Sequence, residues 1–107
     1  MSIALILKQN DTFPPLEATL SDSKGAIDLT LAEKVELVMK LKTGSTVVEG
    51  QCEVLPGTEG KVKYAWAAGD TAVVGVWEVE FKITWGPGEV ESVPNASYDE
   101  IEIQKSL

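Results

Sequence analysis

Apolar and polar residues alternate along this chain far more often than apolar residues recur every third or fourth position, so the pattern predicts strands. The clearest stretch is Val76 to Trp85. Trp77, Val79, Phe81, Ile83 and Trp85 fall on one face, and Glu78, Glu80, Lys82 and Thr84 on the other. A period of two held that long is the mark of a half-buried strand. Val35 to Leu41 repeats it: Val35, Leu37, Met39 and Leu41 oppose Glu36, Lys40 and Lys42, with Val38 the one apolar residue on the outer side. Val62, Tyr64 and Trp66 against Lys61 and Lys63 make a third case.

Shorter strands are expected at Ile3 to Lys8, Leu16 to Leu20, Thr46 to Leu55, Val90 to Val93 and around Ile101 and Ile103. Thr46 to Leu55 should fold back on the preceding strand through Thr43-Gly44-Ser45. Val90 to Val93 should do the same on the Trp77 strand through Gly86-Pro87-Gly88. Further turn signals stand at Pro14-Pro15, Ser23-Lys24-Gly25, Pro56 to Gly60 and Pro94-Asn95. Thr30-Leu31-Ala32-Glu33 has a capping-box pattern, and Ala67 to Thr71 fits one turn at a corner; neither is long enough for an independent helix. Turns every 8–12 residues between seven to eight strands predict an all-β sandwich or barrel, mostly antiparallel.

Composition then removes chemistry. With 107 residues the chain is expected to be a single domain, 1–107, with a core of its own. It has no His, and all nine basic residues are Lys. The usual neutral-pH general base and the bidentate anion clamp are therefore missing. Cys52 stands alone, so neither an internal disulfide nor a cysteine metal cluster is available. Acid pairs such as Glu78/Glu80, Glu89/Glu91 and Glu100/Glu102 are spaced by two along strands, which is the spacing of a solvated sheet face rather than of facing catalytic carboxylates. No enzyme activity, cofactor or metal is expected. A net charge of −8 argues against nucleic acid and anionic membrane as partners. Ile3 to Leu7 is too short for a signal-peptide core or a membrane span, so a cytosolic origin is expected and the sequons at Asn10 and Asn95 carry no weight.

The run Asp70 to Trp77 resembles the corner before the penultimate strand of immunoglobulin-like domains. Trp77 takes the aromatic position there, and its indole N–H is suited to bond the upstream backbone. Asp70 reads either as a ligand contact or, more simply, as a cap on backbone N–H groups of the turn.

Two blocks carry a more specific resemblance. Lys8-Gln9-Asn10-Asp11-Thr12-Phe13-Pro14-Pro15-Leu16, followed by Ile27-Asp28-Leu29-Thr30, and Tyr64-Ala65-Trp66 with Gly69-Asp70-Thr71 and Gly75-Val76-Trp77 resemble the N-terminal domain of phage baseplate upper proteins. The likeness runs from about Lys8 to Ile103, with Pro94-Asn95 near its end. Leu31 to Lys34 departs from it by a longer connection. The resemblance implies an immunoglobulin-like β-sandwich without a disulfide in a phage or prophage. Better-known members attach a receptor-binding organelle to the tail tip, with a helical trimer-forming region after the domain. A small virion or tail-assembly component, working through contacts with other tail or baseplate proteins, is the expectation here.

The residues expected at such contacts are Asp11, Thr12, Phe13, Pro14, Pro15, Asp70, Thr71, Trp85, Pro94 and Asn95. Phe13-Pro14-Pro15 either presents Phe13 to a partner, or starts an edge strand while Phe13 plugs one end of the sandwich. The unbroken apolar run Ile3 to Leu7 predicts an edge covered on both faces, with homo-oligomer formation as one outcome and burial within one subunit as the other. Trp66, Trp77 and Trp85 sit on inward faces, which argues against the alternative reading, a carbohydrate-binding module; Trp85, beside Gly86-Pro87-Gly88, is the one to watch.

Overall fold

A computed structural model describes residues 3–93 and 99–107. Among them there is no helix; eleven strands form three sheets, and Cys52 is a free thiol. The largest sheet is built on the long strand β9 (Gly75–Gly86). On one side of β9 lies β5 (Lys34–Leu41), then β6 (Val47–Gln51) at the margin. On the other side β11 (Asp99–Gln104) pairs with the first half of β9, and β10 (Glu89–Val93) with the second half. Strand β1 (Ile3–Lys8) closes that margin, running parallel to β11. All other pairings are antiparallel. The second sheet has the order β2 (Leu16–Thr19), β8 (Lys61–Tyr64), β7 (Glu53–Val54). The third is a two-residue hairpin of β3 (Ser21–Asp22) and β4 (Gly25–Ala26).

Alternation decides what is inside. Val79, Phe81 and Ile83 of β9 are buried in register with Met39, Leu37 and Val35 of β5, and buried Trp77 lies opposite half-buried Leu41. Leu16, Val62 and Tyr64 bring the second sheet into the same cluster, together with Ile101, Ile103, Leu20, Ile27 and Leu29. Burying one large apolar side chain contributes about 1.5–3 kcal/mol, so this shared cluster is what holds the two larger sheets together.

Four expectations are corrected. Thr46 to Leu55 is not one strand. The chain leaves the large sheet after Gln51, passes Cys52, whose N–H donates to Val35 O at 2.8 Å, and joins the second sheet at Glu53. The alternation of Val48, Gly50, Cys52 and Val54 continues through the crossing, so nothing in the pattern marks it. Gly50 is what allows it: a Cβ there would run into the Tyr64 ring. With the hairpin at 21–26, this split raises the strand number from the expected seven to eight to eleven.

The capping box at Thr30 starts no helical turn. The Asp28 carboxylate, not Thr30, accepts from the Thr30 N–H (3.0 Å), and Ala32 N–H closes a turn on Leu29 O. That bond holds the Asp28 carboxyl below its ordinary value. Phe13 does not plug an end of the molecule; it is 79% exposed. Nor is β1 buried on both faces within one subunit: Leu7 is buried, but Ile6 on the opposite face is 56% exposed, so of the two outcomes for this run burial inside the chain does not hold. The strand does lie at a sheet margin, as its position in the order shows.

Candidate functional site

The two sequence blocks that lie far apart along the chain meet at one end of the molecule, where β1 ends and β9 begins. Residues 9–15 form the first loop and residues 65–74 the second. Asn10 N–H donates to Thr71 O at 3.0 Å, and Gln9 Nε2 donates to Ala72 O at 2.8 Å. The Thr71 hydroxyl, fully buried, donates to Asp11 O at 2.7 Å. The Trp66 indole donates to Pro14 O at 3.0 Å. Gln9 N–H donates to Gln104 O at 2.7 Å, which anchors the first loop to β11 as well. Asn10 adopts a left-handed backbone (φ 70°), and the Phe13–Pro14 bond is cis.

The second loop is held from within. Asp70 Oδ2 accepts from the Tyr64 hydroxyl (2.6 Å) and from the Ala67 N–H (2.8 Å). Asp70 is thus the cap of its own turn, the simpler of its two readings. Burial, then the bond to Asp70, raises the Tyr64 phenol above its ordinary value, so it stays a protonated donor. The Tyr64 and Trp66 rings meet edge to face, centroids 5.3 Å apart. The Trp77 indole donates to Val73 O at 3.2 Å, the bond its corner position predicts.

Of the expected contact residues, Asp11, Pro14, Asp70 and Thr71 are therefore members of the junction between the loops. Thr12 and Phe13 are exposed on the first loop, and half-buried Pro15 leads it into β2. The second loop also exposes Val73 (38%) and Val74 (43%), so the pair of loops displays three apolar side chains at one end. Trp85 belongs elsewhere. It stands at the far end of β9, half-buried, and its indole donates to Glu91 Oε1 at 3.0 Å across the β9–β10 hairpin. Pro94 and Asn95 lie outside the described residues.

Sequence reasoning missed Gln9, Tyr64 and Trp66 as junction residues. The signal was present: each flanks or lies within one of the two blocks, and buried polar tips such as indole and phenol need partners. It also missed Glu100. That residue is buried rather than solvated, and it accepts from Lys42 Nζ at 3.0 Å, which raises the Lys42 ammonium.

Every polar tip just described is consumed by another part of the chain. Among the described residues no group of three His, Cys, Asp or Glu side chains is placed to hold a metal ion. Among the described residues no helix is long and apolar enough to cross a membrane. Burial pushes the Cys52 thiol up to about 12, far from a reactive thiolate. No family model matches the chain, and no curated protein sequence matches it.

Proposed function

We propose that the protein is a non-enzymatic structural component of a phage or prophage tail or baseplate. In this reading it is an immunoglobulin-like β-sandwich of one domain that works through protein–protein contacts inside the virion, after synthesis in the host cytoplasm. The observation that carries the reading is the junction. The two blocks on which the family resemblance rests are the two loops that grip each other, and the grip leaves Phe13 exposed on one loop and Val73 and Val74 exposed on the other. A large apolar side chain on a backbone held at the next residue by the Trp66 bond leaves little loop freedom to be lost on binding and suits the centre of an interface. The strand orders β1-β11-β9-β5-β6 and β2-β8-β7 suit two facing sheets with connections that cross between them, as in that fold.

The test is direct. The genes beside this one supply the candidate partners, and each product is titrated against the purified chain by calorimetry. A tail or baseplate product should bind, and Phe13→Ala should weaken it by roughly tenfold or more while leaving the melting temperature in place. Binding that ignores Phe13→Ala removes the loop from the interface. Neighbours unrelated to tails, with no binding among them and a saccharide bound on a glycan array instead, would move the protein to the carbohydrate-binding alternative.

A further inference from the structure

The large sheet has two margins, and they are built differently. At the β1 margin the pairing with β11 shifts register between Ile3 and Leu5. At the β6 margin the register is continuous, from Lys40 opposite Val47 to Glu36 opposite Gln51. Strand β6 reads Val47-Val48-Glu49-Gly50-Gln51. It has no Lys, Pro or bulge, the devices that usually keep an edge from pairing. Leu41 N–H donates to Thr46 O and Cys52 N–H to Val35 O. Antiparallel pairing alternates bonded positions, so Val48 and Gly50 turn their backbone groups toward β5. Those of Val47, Glu49 and Gln51 point the other way, where no strand lies among the described residues.

The outer face beside this margin holds an open hollow of about 340 Å³, lined by Val38, Lys40, Val47, Glu49, Glu78 and Glu80. Cross-strand register sets the lining in two rows: Glu49, Val38, Glu80 in one and Val47, Lys40, Glu78 in the other. The floor is apolar, with Val47 49% exposed. None of the three carboxylates has an ion-pair partner within 4.0 Å among the described residues. Three carboxylates against one ammonium leave the hollow negative.

We propose that β6 is the docking edge for an extended segment of a different protein, a strand in which Lys or Arg alternates with apolar residues. Such a segment adds to the free N–H and C=O groups of Val47, Glu49 and Gln51. Its outward side chains, one every second residue, lie beside Glu49 and over the valines, and Glu80, two strands further in, acts on them through the field of the hollow. Backbone pairing supplies affinity and the charged row supplies selection. A second copy of this chain is the wrong occupant: it too carries a charge of −8, and β6 against β6 brings glutamate to glutamate. The surface is separate from the Phe13 loop and stands whether or not the protein belongs to a phage.

The experiment uses the full chain, isotope-labelled for amide NMR, and a synthetic peptide of alternating Lys and Val, with an alternating Glu and Val peptide as control. The Lys peptide should shift the amides of Val47, Glu49 and Gln51 first, and the Glu peptide should not. Glu49→Lys combined with Glu80→Lys should weaken binding by roughly tenfold, whereas Glu89→Lys with Glu91→Lys, on the distant hairpin, should leave it unchanged. Val47→Pro, which removes an outward donor, should also weaken it; should that variant unfold, the paired charge reversals decide. Shifts spread evenly over the acidic surface, equal binding of the two peptides, or indifference to the reversal at Glu49 and Glu80 would overturn the proposal.

Discussion

The two ends of β9 hold their loops by different means. Where β9 begins, two loops more than fifty residues apart in sequence are joined by four hydrogen bonds, at Asn10, Gln9, Thr71 and Trp66, and the second loop is braced by Asp70 and Trp77. Where β9 ends, a local hairpin turns through Pro87 and Gly88, and its side-chain bond, from Trp85 to Glu91, is exposed. The first end is fixed by long-range contacts that exist only in the folded chain. The second is fixed by its own turn. Residues that look alike in the sequence, an aromatic beside a turn in each case, therefore do different work: Trp77 and Trp66 build the frame, and Trp85 packs half-buried against the core beside a local hairpin.

This difference predicts a graded response to substitution. Trp77 is fully buried, and its indole satisfies Val73 O. Trp77→Ala should cost about 3–5 kcal/mol, the range of large aromatic truncations in a core, read as a lowered urea midpoint. A midpoint that barely moves would mean that the corner does not depend on its aromatic.

Tyr64→Phe comes next. It keeps the ring and removes the bond to the Asp70 carboxylate, at a cost of roughly 1.5–3 kcal/mol. It also changes the alkaline limb. The Tyr64 phenol is raised in the native state and the Cys52 thiol is pushed up to about 12. In the unfolded chain they release protons near about 10 and about 8.5. Above those values the native state holds protons that the unfolded state has lost, so stability falls as pH rises. The thiol's share should be lost from about pH 8.5 upward toward its native value of about 12. The phenol's share should be lost only from about pH 10. Urea unfolding at stepped alkaline pH should show both in the parent and lose the phenol's share in Tyr64→Phe, while the thiol's share and the loss from the raised Lys42 ammonium stay common to the two proteins.

Much of this arrangement was legible in the sequence, and the part that was not has a physical cause. Strands β5, β8 and β9 follow from alternation, because one face is buried and the other is wet, and β10 follows from the turn that precedes it. The Trp77 bond followed from its place after the corner. The sheet change at Cys52 did not, since alternation constrains faces and not partners. The exposure of Phe13 did not either. Its two prolines fix an extended backbone, but which way the loop leans is decided by Trp66 and Thr71, whose partners are long-range. The burial of Glu100 was hidden for the same reason: it depends on Lys42 of another strand connection.

Thr71→Val tests the junction itself. The substitution keeps the shape and deletes the hydroxyl that donates to Asp11 O. It should cost about 1 kcal/mol. It should also speed hydrogen exchange at Asn10 and Asp11, whose amides close this loop, while exchange in the β9–β10 hairpin stays as it was. Faster exchange at both ends would dissolve the distinction between them.

The smallest effect belongs to the other end. Glu91 is exposed, and its one described role is to accept from the Trp85 indole. Glu91→Gln keeps an acceptor oxygen and removes only a charge, on a surface that already carries an excess of acids. Exposed bonds compete with water at every moment, so the net loss should stay within about 0.5 kcal/mol. The hairpin should keep its register, because Pro87, Gly88 and the β9 ladder set it without help from the side chain. A loss larger than that of Thr71→Val in the same urea series would show that the hairpin end depends on its side chains as much as the junction does.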